Sequence, residues 1–147
     1  MDRPADDPQA LAEACAAAMW ADDRASRALG MALVSVTPGQ AVLTMAVGPD
    51  MANGHGMCHG GYIFTLADSA FAFACNTYGK VTVAQSNSIT YLRPGAVGDI
   101  LTATAREVAR AGRSGLYDVR VSREDGTPLA EFRGQSRSLD KDILPGG

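Results

Sequence analysis

Two features that suggest chemistry lie next to each other in the middle of the sequence. A loop rich in glycine and histidine ends in His59, Gly60 and Gly61, and an apolar segment with one carboxylate, Asp68, follows at once. The segment is apolar on almost every face, so we expect a buried central helix. Burying an unpaired carboxylate costs on the order of several kcal/mol, and the helix dipole has faded at that depth. Asp68 is therefore expected to be partnered, protonated or chemically active.

Simpler explanations compete for these residues. Asn53 is followed by glycine, and this dipeptide often only forms a turn. Cys58 beside His59 suggests a cysteine nucleophile, but adjacent side chains rarely face each other and no third, orienting group is evident. The histidines and Asp68 lack the spacing of zinc ligands, so we expect no metal site. A turn-capping role for Asn53 and a structural role for His59 at the helix start stay open.

The composition argues against several classes of partner. The chain has 147 residues with a formal net charge of −3, and its 13 lysines and arginines are scattered. Because no basic stripe results, we expect neither a nucleic acid nor a membrane as partner. The three cysteines form no close pair, and the N-terminus lacks the charge pattern of a signal peptide. We therefore expect a cytoplasmic protein.

The rest of the sequence predicts the elements that position the loop and the carboxylate. A helix rich in alanine is expected over residues 8–20, and Gly79 is expected as the left-handed cap that ends the central helix. Alternating or β-branched segments predict six strands, over residues 29–36, 40–47, 81–92, 99–108, 116–123 and 129–139. Short connections favour an antiparallel sheet. We expect one α+β domain over residues 1–147, with the sheet wrapped around the central helix and loose ends at residues 1–8 and 141–147.

Four motifs, in this order, resemble the hot-dog-fold acyl-CoA thioesterases, specifically their phenylacetate-degradation (PaaI-type) branch. The motifs are NGHGMCHGG at residues 53–61, LADSAFAFACN at 66–76, ITYLRPG at 89–95 and GDILTATA at 98–105. The resemblance implies the hot dog fold, in which an antiparallel sheet wraps around a long helix. It also implies a homodimer with a continuous sheet and active sites at the interface, commonly assembled into a homotetramer. The CoA of the substrate would be needed, but no cofactor.

The resemblance also implies roles for individual residues. Asp68 would be the catalytic carboxylate, Asn53 would orient water or substrate, and His59 with the backbone of Gly60 would hold the thioester carbonyl. Helix chemistry is compatible with this, since the first N–H groups, at Gly60 and Gly61, are donors backed by the positive end of the helix dipole. Whether Asp68 activates water or attacks the carbonyl itself stays open.

The phosphates of CoA need cations near the mouth of the site. Arg93, Arg110 and Arg113 are candidates, and we favour the turn from Arg110 to Ser114, which combines free N–H groups with two arginines. Some relatives have a serine in the strand after the central helix that positions the acyl group, whereas Ala84 occupies that place here, with Ser86 and Ser88 nearby. By resemblance we expect an aromatic acyl group of the (hydroxy)phenylacetyl type.

Two other functions stay open at this point. A hydratase or dehydratase of 3-hydroxyacyl thioesters on the same fold would use a loop histidine and a helix acid, roles that His59 and Asp68 would fill. A domain that binds acyl-CoA without turnover is the second alternative. The combination of Asn53 with Gly60 and Gly61 favours the thioesterase, and hydrolysis needs no recognition of a β-hydroxyl. We therefore expect an enzyme that hydrolyses acyl-CoA thioesters.

Overall fold

Three α-helices and six strands make up most of residues 6–146, which the computed structural model describes. The helices are α1 (Pro8–Asp22), α2 (Arg24–Ala28) and α3 (Gly60–Cys75). The strands are β1 (Ala32–Thr37), β2 (Gln40–Ala46), β3 (Lys80–Tyr91), β4 (Ile100–Ala111), β5 (Ser114–Ser122) and β6 (Pro128–Asp142). Among the described residues, no helix is both long enough and apolar enough to cross a membrane.

The six strands form one sheet in the order β1-β2-β4-β5-β6-β3. Every neighbouring pair is antiparallel, and β4, β5 and β6 follow one another as hairpins. Helix α3 contacts all six strands. The prediction of an α+β architecture, with an antiparallel sheet around the central helix and an N-terminal helix, is confirmed. The sheet ends at β1 on one side and at β3 on the other.

Helix α3 lies in the centre of the hydrophobic core. Leu66 and Ala70 of this helix are completely buried. Phe71 packs edge-on against Tyr117 of β5, with ring centroids 5.6 Å apart, and lies 5.8 Å from Phe132 of β6. A helix that is apolar on almost every face thus obtains its cover from a sheet that curves around it.

The start of α3 is closed by the side chain of His59. Its Nδ1 accepts the N–H of Gly61 at 2.9 Å, which is an N-cap of the helix. Backbone bonds hold the loop in front of it, because His59 N donates to Met51 O at 2.7 Å and Cys58 N donates to Gly95 O at 2.8 Å. The loop that carries the predicted chemistry is therefore attached to the segment before it and to the connection between β3 and β4.

The end of α3 is closed by Asn76. Its side chain donates to Ala72 O at 2.8 Å and to Thr82 O at 2.9 Å, and accepts the N–H of Thr82 at 2.8 Å. These bonds satisfy the last turn of the helix and attach it to β3. Gly79 has a φ of +94° and lies in the turn that leads into β3. The prediction of Gly79 as the helix cap is therefore wrong, because the side chain of Asn76, three residues before it, caps the helix.

Two hairpins differ from the predicted boundaries. Leu29 caps α2, a helix that the sequence analysis did not predict, so β1 begins only at Ala32. The hairpin of β4 and β5 is longer than predicted, and Arg110 and Ser114 belong to its strands. The turn lies where it was predicted but is shorter than the span 110–114, since only residues 112 and 113 lie between the two strands.

The chain ends also differ from prediction. Pro8 is the first residue of α1, and residues 1–5 of the expected N-terminal tail lie outside the described range. At the other end, β6 continues to Asp142, whose carboxylate pairs with Lys80 of β3. The next amide, of Ile143, donates to Gly79 O at 2.9 Å. Residues 141 and 142 are therefore part of the sheet, where a loose end was expected.

Gly134 of β6 provides a test of the core. A methyl group added there would lie 2.8 Å from the ring of Phe71, and Tyr117 and Phe132 leave that ring little room to move. We expect Gly134→Ala to lower the free energy of unfolding by about 1–3 kcal/mol through overpacking, measured by urea denaturation. Gly48→Ala is the matched control, because nothing lies within 4 Å of its added methyl group. Equal stability of both variants would contradict the packing described above.

The cap on α3 provides a second test. His59→Ala removes the acceptor for Gly61 N–H, so we expect a loss of about 1 kcal/mol in stability. His59→Asn should retain most of the stability, because asparagine is among the best N-cap residues. Thermal unfolding of the three proteins measures both effects. If the alanine and asparagine variants are equally stable, the His59 side chain does not cap the helix.

Candidate active site

Asp68 is half-buried in the middle of α3, on the side that faces β3. Asn87 of β3 donates from Nδ2 to its Oδ1 at 3.3 Å, and within residues 6–146 this long bond is the one that the carboxylate makes. Burial raises the pKa of Asp68 above its ordinary value of 3.8, and the bond from Asn87 offsets part of that rise. A carboxylate with weak partners and an increased affinity for protons is suited to proton transfer.

Asn53 organises the loop before α3. Its Oδ1 accepts the N–H groups of His55 at 2.9 Å and Met57 at 3.1 Å, and its own N–H donates to Met57 O at 2.7 Å. The turn-capping role considered for Asn53 is therefore present. Because Oδ1 makes these bonds, the group that Asn53 has available for a ligand is its Nδ2 amide.

The first two amides of α3 differ in what they can bind. Gly61 N–H already donates to His59 Nδ1, whereas Gly60 N–H has no acceptor among the described residues. Because Nδ1 of His59 accepts, the proton of the neutral ring lies on Nε2, which is exposed on the loop. The geometry thus leaves one backbone donor, at Gly60, and one ring donor, at His59, at the positive end of the helix.

A cleft of about 380 Å³ lies beside Gly60. Its walls bring Asn53, Gly60 and Arg93 together with apolar groups of Met57, Cys58, Ile63, Tyr91, Leu92 and Pro94. Arg93 donates from one guanidinium nitrogen to Pro128 O at 2.8 Å, so its position is held while other N–H groups remain available. The arginine lies at the same end of α3 as the Gly60 loop.

Tyr91 is a cleft residue to which the sequence analysis gave no role. Its hydroxyl donates to Gly60 O at 2.9 Å, and its ring atom Cζ lies 3.0 Å from where a side chain at Gly60 would begin. The sequence did carry a signal for it, since Tyr91 stands two residues before Arg93 at the end of a strand. A side chain at residue 60 would be in tight contact with the tyrosine ring, which would have to move by a few tenths of an ångström to accept even a methyl group.

The other predicted binding residues lie elsewhere. Arg110, Arg113 and Ser114 line a second cleft, of about 310 Å³, together with Cys75 at the end of α3. At 1.5 Å per residue, the two ends of this helix are about 22 Å apart, and Asp68 is about 12 Å from Gly60. Within one chain, Arg93 therefore lies in the cleft beside Gly60, whereas Arg110, Arg113 and Ser114 lie at the other end of α3.

Arg110 is held in place by a network that the sequence analysis missed. Its Nε lies 3.3 Å from a carboxylate oxygen of Glu107, and its guanidinium carbon lies 3.5 Å from the ring centroid of Tyr78. The same Glu107 oxygen accepts the hydroxyls of Tyr78 at 2.9 Å and of Tyr117 at 3.0 Å. Side chains alternate between the two faces of a strand, so counting from the buried Leu101 would have placed Glu107 on the inner face of β4, next to Tyr117.

No cluster of three metal-ligating side chains occurs in residues 6–146.

Comparison with known proteins connects this geometry to a family. The family model of the thioesterase superfamily matches residues 55–130, which include the end of the loop, α3 and the first three strands after it. The acyl-coenzyme A thioesterase PaaI of Escherichia coli K12 is 44% identical over 122 residues, which cover 83% of this chain and 87% of that protein.

Solved structures agree with the sequence comparison. The structure of the E. coli PaaI protein from the phenylacetic acid degradation operon superposes with a TM-score of 0.89 at 42% identity, and covers 91% of this chain and 97% of that one. A Streptococcus mutans UA159 protein bound to acetyl CoA superposes with a TM-score of 0.73 at 29% identity, over 76% of this chain and 90% of that one. The chain therefore belongs to the thioesterase superfamily and is an acyl-CoA thioesterase of the PaaI type with the hot dog fold.

Proposed function

We propose that this thioesterase hydrolyses aromatic acyl-CoA esters of the (hydroxy)phenylacetyl type. The similarity to E. coli PaaI, whose structure is described as coming from the phenylacetic acid degradation operon, supports this acyl group. The structure supports it through the apolar walls of the cleft beside Gly60. The observation that carries the proposed site is the weakly partnered Asp68, whose pKa is raised by burial, on the same helix as the unbonded Gly60 amide.

In the proposed reaction, the thioester carbonyl oxygen accepts the N–H of Gly60 and the Nε2–H of His59. Negative charge develops on that oxygen as the tetrahedral intermediate forms, and the positive end of α3 stabilises it. Asn53 offers its Nδ2 amide to the substrate or to water. The carbon–sulfur bond breaks when the intermediate collapses, and CoA leaves as a thiol after taking up a proton. Water and the thioester supply all atoms, so the proposal includes no cofactor.

Asp68 has two compatible roles in this scheme. As a general base it takes a proton from water, whose oxygen then attacks the carbonyl carbon. As a nucleophile its own oxygen attacks, CoA leaves, and water hydrolyses the resulting anhydride. The raised pKa of Asp68 supports the first role directly, because a base with a higher pKa binds the proton more strongly.

The site is proposed to form between two chains. Water or a carboxylate that attacks a carbonyl must approach within about 3 Å, whereas Asp68 lies about 12 Å along the helix from Gly60 of its own chain. Strand β3 runs antiparallel to α3, since Tyr91 contacts Gly60 and Asn87 contacts Asp68. Pairing of two β3 edges about a two-fold axis would reverse the second helix, so that the partner's Asp68 approaches this chain's Gly60.

The same arrangement supports a division of the phosphate contacts. With the second helix reversed, the end of α3 that carries the arginine cleft would extend beyond the first chain's Gly60. We propose that the CoA phosphates contact Arg93 of one chain and Arg113, with Arg110 and Ser114, of the partner subunit. In this proposal Gly61 supports the substrate site indirectly, because its N–H already belongs to the cap of His59. A homotetramer stays a prediction, as does the cytoplasmic location.

Replacing Asp68 tests the function. In Asp68→Asn we expect kcat for thiol release to fall by about 10²–10⁴, the range for loss of general acid–base catalysis, with KM little changed. The panel of substrates contains phenylacetyl, hydroxyphenylacetyl, hydroxybenzoyl and straight-chain acyl-CoA. Asp22→Asn, at the exposed end of α1, is the matched control. No cleavage of any ester by the wild type would contradict the proposal, and enoyl-CoA hydration would then be assayed.

Mixing subunits tests the site between chains. Asp68→Asn and Gly60→Val subunits with different tags should each be inactive alone, since valine at residue 60 would collide with Tyr91. If each site takes Gly60 from one chain and Asp68 from the other, a purified mixed dimer contains one site in which both residues are wild type. We therefore expect about half of the wild-type activity. An inactive mixed dimer would show that Gly60 and Asp68 act within one chain.

A further inference from the structure

Asn87 is the side chain that the structure places against Asp68, and it is only half satisfied. Its Nδ2 donates to Asp68 Oδ1 at 3.3 Å. Its own Oδ1 is buried and has no hydrogen-bond partner among the described residues. A buried amide oxygen without a partner is unfavourable, and a leucine of similar shape would avoid this. The amide therefore has a reason to be there other than the stability of β3.

The backbone keeps Asn87 at this place. Asn87 lies opposite Gly134 in the ladder between β3 and β6, and β3 is further attached to α3 by Tyr91 at one end and by Asn76 through Thr82 at the other. The amide is thus presented to the middle of the helix from a strand that is anchored on both sides of it.

We propose that Asn87 is a positioning residue for Asp68, which holds the carboxylate in one orientation and favours its ionised form. This inference depends on the proposed role of Asp68 as base or nucleophile, because both roles need an ionised oxygen aimed at the reaction. A donor stabilises the ionised form, whereas burial favours the protonated form. Asn87 therefore counteracts the rise in the pKa of Asp68 that burial causes.

Other groups around Asp68 do not take this role. Cys75, two turns further along the same helix, interacts with the charge of Asp68, but burial raises the pKa of this thiol to about 12, so it is neutral in the working range. On the side of α2, Ser69 next to Asp68 bonds to Ser26 at 2.8 Å. From β3 the facing group is Asn87, and no charged group of the other strands acts on the pKa of Asp68 in the described chain.

An amide is also suited to a carboxyl group that changes its protonation state. With Nδ2 towards Asp68 it donates to the carboxylate, and after a rotation of 180° it accepts the proton of the carboxylic acid through Oδ1. A leucine has neither ability, and an aspartate would repel the ionised form. Asparagine, leucine and aspartate are similar in size, so we expect them at residue 87 to give Asp68 three different affinities for its proton.

The test compares the wild type with Asn87→Leu and Asn87→Asp. We expect the acid limb of the pH profile of kcat/KM to move to higher pH by about one unit in Asn87→Leu and further in Asn87→Asp. The sign follows because loss of a donor raises the pKa of Asp68, so a higher pH is needed to ionise it. On the alkaline plateau kcat should recover to within about threefold of the wild type. Ser88→Ala, at an exposed neighbouring position of β3, should leave the limb unchanged.

A measurement without substrate separates this inference from the proposed function. The carboxyl carbon of Asp68 is titrated by ¹³C NMR and assigned by its absence in Asp68→Asn. A shift of this titration to higher pH in Asn87→Leu supports the inference even if no ester is cleaved, in which case only the proposed function fails. An unchanged titration in Asn87→Leu overturns the inference. If Asn87→Leu does not fold, Asn87→Ala takes its place with the same expectations.

Discussion

A carboxylate in the middle of a helix that needs cover on every side is the constraint on which this structure depends. Burial of α3 requires a sheet that surrounds it, and burial of Asp68 opposes that requirement, because an ionised group loses solvation in an apolar core. The fold satisfies both by placing Asp68 towards β3, at the edge of the sheet. There the carboxylate remains half-buried and meets one polar side chain, that of Asn87.

The position of this edge strand relative to the helix is set by side chains rather than by the sheet alone. Tyr91 bonds to the first residue of α3, and Asn76 bonds to Thr82 just after the last one. Between these two points β3 runs along the whole helix. Its other edge has no strand beside it in residues 6–146. The backbone N–H and C=O groups of that edge are therefore free to pair with another strand, next to the candidate catalytic group. This is the physical basis for proposing that a second chain completes the site.

The two ends of α3 lie about 22 Å apart and carry different chemical groups. The start has a free amide, a capping histidine and the positive end of the helix dipole, which suit a developing negative charge on a carbonyl oxygen. The other end has arginines around the Glu107 network, which suit the diffuse charge of phosphates. An extended substrate with a thioester at one end and phosphates at the other suits this separation of charge, and it is the distance of about 12 Å between Asp68 and Gly60 that leads us to propose a second chain.

The sequence by itself determined the central helix, the six strands, their antiparallel pairing and the family, because periodicity, turn residues and the four motifs are local signals. The order of the strands in the sheet came from the tertiary structure. The sequence also identified Asp68, Asn53 and Gly60 as chemically notable. Only the tertiary structure decided which groups meet: that Gly61 is occupied by His59, that Asn87 faces Asp68, and that Glu107 holds Arg110 against Tyr78. These contacts join residues that are distant in the chain or depend on side-chain direction, and a bulge such as the one between Ala84 and Ser86 shifts which residues of β3 face the helix. Local patterns indicate which face of a strand or which end of a helix a residue occupies, but not which side chains it contacts there, so these contacts emerge only when the sheet has closed around the helix.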